Sequence, residues 1–321
     1  MTQSFTGQRL LVTGAAGFIG GHLVRRLLGA GASVIALDNF STGSRSLLDA
    51  LAGPSCRVVE ADVIEPMELK VDGVFNLACP ASPPRYQADP VQTLRTSTEG
   101  TYNLLEVARR SGARLVHAST SEVYGDPAVH PQVETYRGNV NPIGVRACYD
   151  EGKRAAETLC ADYARGRGVD VRVARIFNTY GEGMAADDGR VVSNFIVQAL
   201  TGAPLTVYGT GDQTRSLCYV ADLVEGLIAL YSAEPFGFEP INLGNPEEIT
   251  VRDLASRVLA LTGSRSEIVH RPLPEDDPQV RNPDISRARR RLGWSPKIGL
   301  AKGLARTVAH FRDQVGAPVS A

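Results

Sequence analysis

Short apolar runs, rich in leucine and β-branched residues, recur at Arg9 to Thr13, Ser33 to Leu37, Arg57 to Glu60, Gly73 to Leu77, Arg114 to Ser119 and Val171 to Phe177. Between several of them lie amphipathic stretches, among them Ile19 to Leu28 and Thr101 to Arg110, whose apolar positions recur at helical spacing. Strands that are apolar along their length are those buried on both faces. The order strand, helix, strand therefore predicts an α/β fold, a doubly wound parallel sheet with helices on both sides. Past Phe177 the alternation gives way to glycine- and proline-bearing loops (NTYGEGM, TGAPLTVYGTG, RPLPEDDPQVRNPD) separated by helices. This predicts a smaller C-terminal substrate-binding lobe over the carboxyl ends of the strands, where open α/β folds bind ligands. The expected boundaries are 1–178 plus about 212–245 for the sheet domain, and 179–211 plus 246–321 for the lobe. No internal repeat or low-complexity linker separates the two, which predicts a continuous interface, and the terminal GAPVSA is expected to fray.

Charge and composition narrow the function. The 321 residues carry 34 basic and 35 acidic side chains, a net charge of −1, so no global positive field exists to hold DNA or RNA. No run approaches the ~20 consecutive apolar residues of a bilayer span. The opening MTQSFTGQRLLVTG has neither a basic nor a long apolar stretch, so a cytoplasmic location without a membrane or nucleic-acid partner is expected. The five cysteines (Cys56, Cys79, Cys148, Cys160, Cys218) are scattered without a CxxC, and the five histidines lack paired ligand spacing. Neither a disulfide framework nor a metal site is expected. Only Lys70, Lys153, Lys297 and Lys302 are lysines, so a lysine at a chemically demanding position stands out.

The first strand runs into Gly14-Ala-Ala-Gly17-Phe-Ile-Gly20 at the start of a helix. Gly14 permits the tight turn, Gly17 lets backbone N–H groups approach a pyrophosphate at the helix N-terminus, and Gly20 lets the helix pack closely on the sheet. The second strand ends at Asp38, eighteen residues beyond Gly20, where a carboxylate accepts the adenosine ribose hydroxyls and repels a 2′-phosphate. A Rossmann sheet binding NAD rather than NADP is the expectation. The fifth strand ends in Ser119-Thr120-Ser121-Glu122, and a later helix carries Tyr149-Asp-Glu-Gly-Lys153. Positions i and i+4 share a helix face, which places the Lys153 ammonium beside the Tyr149 phenol. That ammonium and an oxidised nicotinamide are expected to lower the phenol from its ordinary value near ~10. Tyr149 then removes a hydroxyl proton as hydride leaves for NAD, and Thr120 shares the hydrogen bond.

This arrangement resembles the extended short-chain dehydrogenase/reductase superfamily. Within it, NLACPASPPRYQADPVQT, STSEVYGDPAVHPQVET, GNVNPIGVRACYDEGKRAAETL, VRVARIFNTYG, DDGRVVSNF, LTVYGTGDQTRS and RNPD resemble the UDP-glucuronate decarboxylase (UDP-xylose synthase) family, from Arg9 to about Trp294. The resemblance implies NAD-dependent oxidation at C4 of UDP-glucuronate with Tyr149 as base, loss of CO2 from the resulting β-keto acid, and re-reduction at C4 to UDP-xylose. It implies catalytic roles for Thr120, Ser121, Glu122, Tyr149, Lys153 and Arg281. Glu122 would position the sugar or relay the C5 proton, with a carboxyl raised by the substrate's own carboxylate, and Arg281 would stabilise enolate charge.

For the cofactor the resemblance implies contacts from Gly14, Gly17, Phe18, Ile19, Gly20, Asp38, Asn39, Phe40, Thr42, Gly43, Asp62, Val63, Leu77 and Ala78, besides Tyr149 and Lys153. For the UDP-sugar it implies Pro80 and Tyr86 in a stiff sugar-carboxylate loop, with Glu122, Asn178, Gln213, Arg215 and Arg281. Tyr208 and Phe195 line the uracil pocket, although core packing accounts equally well for Phe195. Tyr180-Gly181-Glu182-Gly183-Met184 departs from the family's usual YGPRM, and Arg137 stands where a tryptophan is usual. A 4,6-dehydratase or 4-epimerase would share the loop, Tyr149 and Lys153, but dehydratases carry Asp-Glu where this chain has Ser121-Glu122. A non-catalytic NAD-binding module would not need Thr120, Tyr149 and Lys153 together. Relatives usually dimerise through two helices, which implies a homodimer using the apolar faces of Tyr102 to Ala108 and Ala155 to Tyr163.

Overall fold

The computed structural model describes residues 3–273 and 280–316. The tail beyond Gly316, where fraying was expected, and part of the RPLPEDDPQVRNPD loop lie outside the described residues. The elements run β1 (Arg9–Thr13), α1 (Phe18–Leu28), β2 (Ser33–Asp38), α2 (Arg45–Asp49), β3 (Cys56–Glu60), β4 (Gly73–Asn76), α3 (Pro83–Ala88), α4 (Pro90–Arg95), α5 (Thr101–Ser111), β5 (Arg114–Thr120), α6 (Ala147–Arg167) and β6 (Val171–Ile176). They continue as β7 (Thr179–Tyr180), α7 (Val191–Thr201), β8 (Leu205–Tyr208), β9 (Thr214–Ser216), β10 (Cys218–Tyr219), α8 (Val220–Ser232), β11 (Ile241–Leu243), β12 (Glu248–Thr250), α9 (Val251–Thr262), β13 (Ile268–Arg271), α10 (Ser286–Leu292) and α11 (Leu300–Val315).

Seven parallel strands form one sheet in the order β11-β6-β5-β4-β1-β2-β3. The chain steps outward from β1 to β2 and β3, then crosses back to β4 on the other side, so a crevice opens above the carboxyl ends of β1 and β4. Register levels these ends, with Thr13 beside both Leu37 and Asn76 and Thr120 beside Ile176. The residues that follow (Gly14, Leu77, Ser121, Asn178) consequently rim one crevice.

Side chains alternate across the sheet as strand geometry requires. Leu10, Val12, Val34, Ala36 and Phe75 pack with α1 and α8, through Leu23, Leu27, Leu223 and Leu227. Leu11, Ile35, Val74, Leu115 and Val173 pack on the other face with Leu104, Leu105, Cys160 and Tyr163 of α5 and α6. A further core joins Phe195, Ile196, Leu205, Val207, Leu254, Val258, Leu304, Val308 and Phe311 in the C-terminal lobe. The chain does not stay in that lobe to its end. Ile285, Ala288 and Trp294 return to the sheet core, and Trp294 Nε1 donates to the Asp222 carbonyl at 2.9 Å. These three fall within the expected 246–321 span yet pack on the sheet side, which a lone tryptophan gives no periodic signal to foretell. Among the described residues no helix is long and apolar enough to cross a membrane, and no group of three or more His, Cys, Asp or Glu is placed to hold a metal ion.

Candidate active site

The crevice is the floor of a cavity of about 1880 Å³ that runs from Asp38 and α1, past Thr120 and Tyr149, to Tyr208 and Arg215 under the lobe. Small-molecule pockets usually enclose ~300–1,000 Å³, so this one has room for two nucleotides.

At one end the glycines shape the turn. Gly14 has φ +64, and a Cβ there would lie 2.8 Å from the Leu77 carbonyl carbon. At Gly20 a Cβ would lie 2.0 Å from the Gly14 carbonyl oxygen, so α1 seats on the loop only with glycine there. Helix α1 begins without a side-chain cap or an acidic residue in its first turn, and Gly17, Phe18, Ile19 and Gly20 all line the cavity. These are the conditions in which helix-end N–H groups accept an anion. The Asp38 carboxylate, also lining the cavity, accepts N–H bonds from Ala16 (2.9 Å) and Phe40 (2.8 Å). Burial raises its carboxyl, and these N–H groups oppose that shift. Asn39, Thr42, Val63, Leu77 and Ala78 join the lining.

Three more of the expected cofactor residues, Phe40, Gly43 and Asp62, have contacts of their own within the loops. Phe40 (φ 58) carries the Arg45 guanidinium 4.0 Å from its ring centre, and Gly43 lies against Ala16, where a Cβ would come within 2.6 Å of the alanine methyl. Asp62 accepts from Asn39 (2.9 Å) and Gln92 (3.3 Å).

In the middle, β5 ends at Thr120 and the chain turns into a 3-10 segment, Ser121–Tyr124, capped by the Thr120 hydroxyl, which accepts from Glu122 N at 3.2 Å. The Tyr149 ring stacks on that of Tyr86 with centroids 5.1 Å apart and planes 6° apart, and the Thr120 hydroxyl stands close to its phenol. Lys153 stands one turn along α6, but its ammonium donates to the Ala118 carbonyl at 2.9 Å and lies 5.9 Å from the Tyr149 ring centre. The expected acidification needs the nicotinamide beside Lys153, and in the protein alone the phenol is not lowered. Burial pushes the Tyr149 phenol well above the ordinary tyrosine value, Cys79, Glu122 and Asp150 push the same way, and the Thr120 hydroxyl opposes them.

Glu122 sits between two guanidinium groups. Arg146 Nη2 donates to its Oε2 at 2.6 Å and Arg281 Nη2 to the same oxygen at 3.1 Å. Burial alone would raise this carboxyl, but Arg281 and Arg146, with a smaller contribution from Arg215, hold it below the usual range. In the protein alone it is a carboxylate; the raised carboxyl was expected only beside the substrate's own carboxylate. Arg281 is almost wholly buried, with Nη1 donating to the carbonyls of Ser121 (3.1 Å) and Gly125 (2.9 Å).

At the far end Pro80, Tyr86, Asn178, Phe195, Tyr208, Gln213 and Arg215 all line the cavity. Gln213 donates to the Tyr208 carbonyl (2.7 Å) and Arg215 to the Thr214 carbonyl (2.9 Å). Phe195 is 1% exposed and Tyr208 43%, so the first is a packed wall and the second a rim. Sequence reasoning missed Arg146 and Arg190, which line the cavity, and Cys79 beside Tyr149. Arg146 had a readable signal, lying three residues before Tyr149 and so one turn away on the same face. Cys79 had none.

The sequence matches the model of the NAD dependent epimerase/dehydratase family over residues 10–244. It is 55% identical over 310 residues to UDP-glucuronic acid decarboxylase 2 of Arabidopsis thaliana, covering 96% of this chain and 69% of that one. Among solved structures, the dTDP-glucose 4,6-dehydratase DesIV of Streptomyces venezuelae, with NAD bound, superposes with a TM-score of 0.87 at 30% identity, covering 96% of this chain and 98% of that one. MoeE5, solved with UDP-glucuronic acid and NAD, gives 0.82 at 30% identity, covering 95% and 99%. The glycine turn, the open end of α1 and the buried Asp38 fit a dinucleotide, and the chain belongs to the NAD dependent epimerase/dehydratase family.

Proposed function

We propose that this protein converts UDP-glucuronate to UDP-xylose and CO2, with NAD at the Gly14–Asp38 end of the cavity and the UDP-sugar at the other. The observation that carries the reading is the Arg146–Glu122–Arg281 cluster beside Thr120 and Tyr149, two guanidinium groups around one carboxylate, where a sugar acid can be met. Bound NAD supplies a hydride acceptor at C4, a positive ring near the phenol, and later the hydride returned to C4. Tyr149 takes the C4 hydroxyl proton, and its stacking on Tyr86 fixes the direction of the phenol oxygen. Lys153 is a fixed positive charge on the Ala118 carbonyl. The 4-ketone lies β to the C6 carboxylate, so CO2 leaves with its electrons flowing into the ketone as an enolate. Arg281, pinned by two carbonyls, stabilises that charge without reorganising. Glu122, already ionised between two arginines, positions the sugar rather than delivering the C5 proton.

The fold itself supports epimerases and dehydratases equally well, so the choice rests on the site. The neutral sugars of UDP-glucose and dTDP-glucose give Arg146 and Arg281 no carboxylate to meet. Incubation with NAD and each of UDP-glucuronate, UDP-glucose and dTDP-glucose tests this, with CO2 and a pentose expected from the first and no turnover of the others. Epimerised or dehydrated products from the neutral sugars, without CO2 from UDP-glucuronate, would overturn the assignment. Within the same reading the protein acts as a cytoplasmic homodimer; of the faces expected to pair, Leu104, Leu105, Val107, Ala108, Cys160 and Tyr163 are packed into the protein's own core, and exposed Tyr102 is what supports the pairing. A monomeric mass in solution would reject the dimer.

A further inference from the structure

The segment 182–190 leaves β7, crosses the cavity mouth and enters α7, and most of it lines the cavity. Its near end is fixed to both halves of the molecule. His22 Nε2, on the cofactor-side helix α1, meets the Glu182 carbonyl at 2.6 Å, and Gly183 N donates to His310 Nε2 on α11 at 2.9 Å. The Tyr219 hydroxyl donates to the Glu182 carboxylate at 2.7 Å. Its far end reaches the sugar-side helix α3. Asp187 pairs there with Arg85, and Gly189 is pressed onto Pro84, where a Cβ would come within 2.7 Å of the proline ring. Arg190, held by Asp188, lies 6.0 Å from the Phe18 ring on the pyrophosphate loop.

The two ends differ in how readily they open. Near-end contacts are partly buried, whereas the side chains of the Arg85–Asp187 pair are 36% and 74% exposed. An exposed ion pair is weak and sensitive to salt, so the far end, held besides only by the Gly189–Pro84 contact and Arg190 near Phe18, opens more readily than the near end, which is left as a hinge.

We propose that 182–190 is a strap that retains both nucleotides between the chemical steps, with the Arg85–Asp187 pair as its latch. The inference rests on the decarboxylase reading, in which oxidation, CO2 loss and reduction must occur in one closed cavity. Escape after CO2 loss would release UDP-4-keto-pentose and NADH, the proton freed at C4 having been used at C5, in place of UDP-xylose and NAD. Arg85 and Asp187 are positioning residues in this scheme.

The test compares wild type with Asp187→Asn, Arg85→Gln and the charge swap Arg85→Asp/Asp187→Arg. NADH dissociation is followed by its fluorescence in the presence of UDP, and keto-pentose against UDP-xylose is then measured from UDP-glucuronate. Either single substitution should speed dissociation and raise the keto fraction about two- to fivefold, the range an exposed pair supports. The melting temperature should be unchanged, and the swap should return both readings towards wild type. Raised salt should speed release from wild type and not from Asp187→Asn. Wild-type dissociation in Asp187→Asn, or a swap no better than the singles, overturns the latch. Absence of CO2 from wild type would instead overturn the decarboxylase reading, while the dissociation rates still decide the latch.

Discussion

Tyr149 is made a weaker acid by its own burial, and a catalytic base cannot work in that state. The chain supplies orientation, through Thr120, Tyr86 and the α6 backbone, and leaves activation to charge that arrives with the ligands. An ultraviolet titration of the cofactor-free protein should therefore show no Tyr149 phenolate signal, as a wild-type minus Tyr149→Phe difference, up to at least pH ~10. A difference signal near neutral pH would show that Lys153 alone suffices. Glu122 titrates in the opposite sense. Its folded carboxyl lies below the unfolded one, so its ion pairs stabilise the fold fully above the unfolded value and lose that contribution as pH falls through the folded value. Glu122→Gln should cost about 1–3 kcal/mol in denaturant unfolding at pH 7, and less as the pH drops below ~4. A cost independent of pH would contradict an ionised Glu122. Thr120, Tyr149 and Lys153 were legible in the sequence because a strand end and an i, i+4 spacing place side chains by local geometry alone. The Arg146–Glu122 contact was not, since it spans 24 residues of turn and loop whose path no periodicity records.

At the scale of elements, β1 to β6 were legible almost to the residue, because each is a short run rich in β-branched or leucine residues, and all but the edge strand β3 are largely buried. The short strands of the lobe were not. Strands β7 and β10 have two residues, too few to display a period, and they form only because each offers the other its edge; β11, at the edge of the main sheet beside β6, has three and was missed for the same reason. The glycine turn was legible as a motif, and the structure adds what holds it. Gly20→Ala would drive a methyl into the Gly14 carbonyl, forcing α1 off the sheet. That substitution should cost about 1–3 kcal/mol in unfolding and weaken NAD binding, checked by denaturation and by titration with the dinucleotide. Unaltered binding would show that the helix does not need to sit where the structure has it.

Over the whole molecule, two halves share one cavity and are tied by a chain that crosses between them more often than the sequence suggests. Trp294 is the plainest tie. It fills space against Gly226 and donates to Asp222, whose carboxylate accepts from the backbone of Lys297 and Ile298 at 2.9 and 2.7 Å. Trp294→Ala should cost about 3–5 kcal/mol, read from the denaturation midpoint, and a loss below ~1 kcal/mol would place Trp294 outside the core. The most direct test of the account is product stoichiometry over many turnovers with NAD present only at the protein's own concentration. It predicts one CO2 and one UDP-xylose for each UDP-glucuronate consumed, with the dinucleotide recovered as NAD. Consumption of UDP-glucuronate without CO2, or a halt after one turnover with stoichiometric NADH, would contradict it.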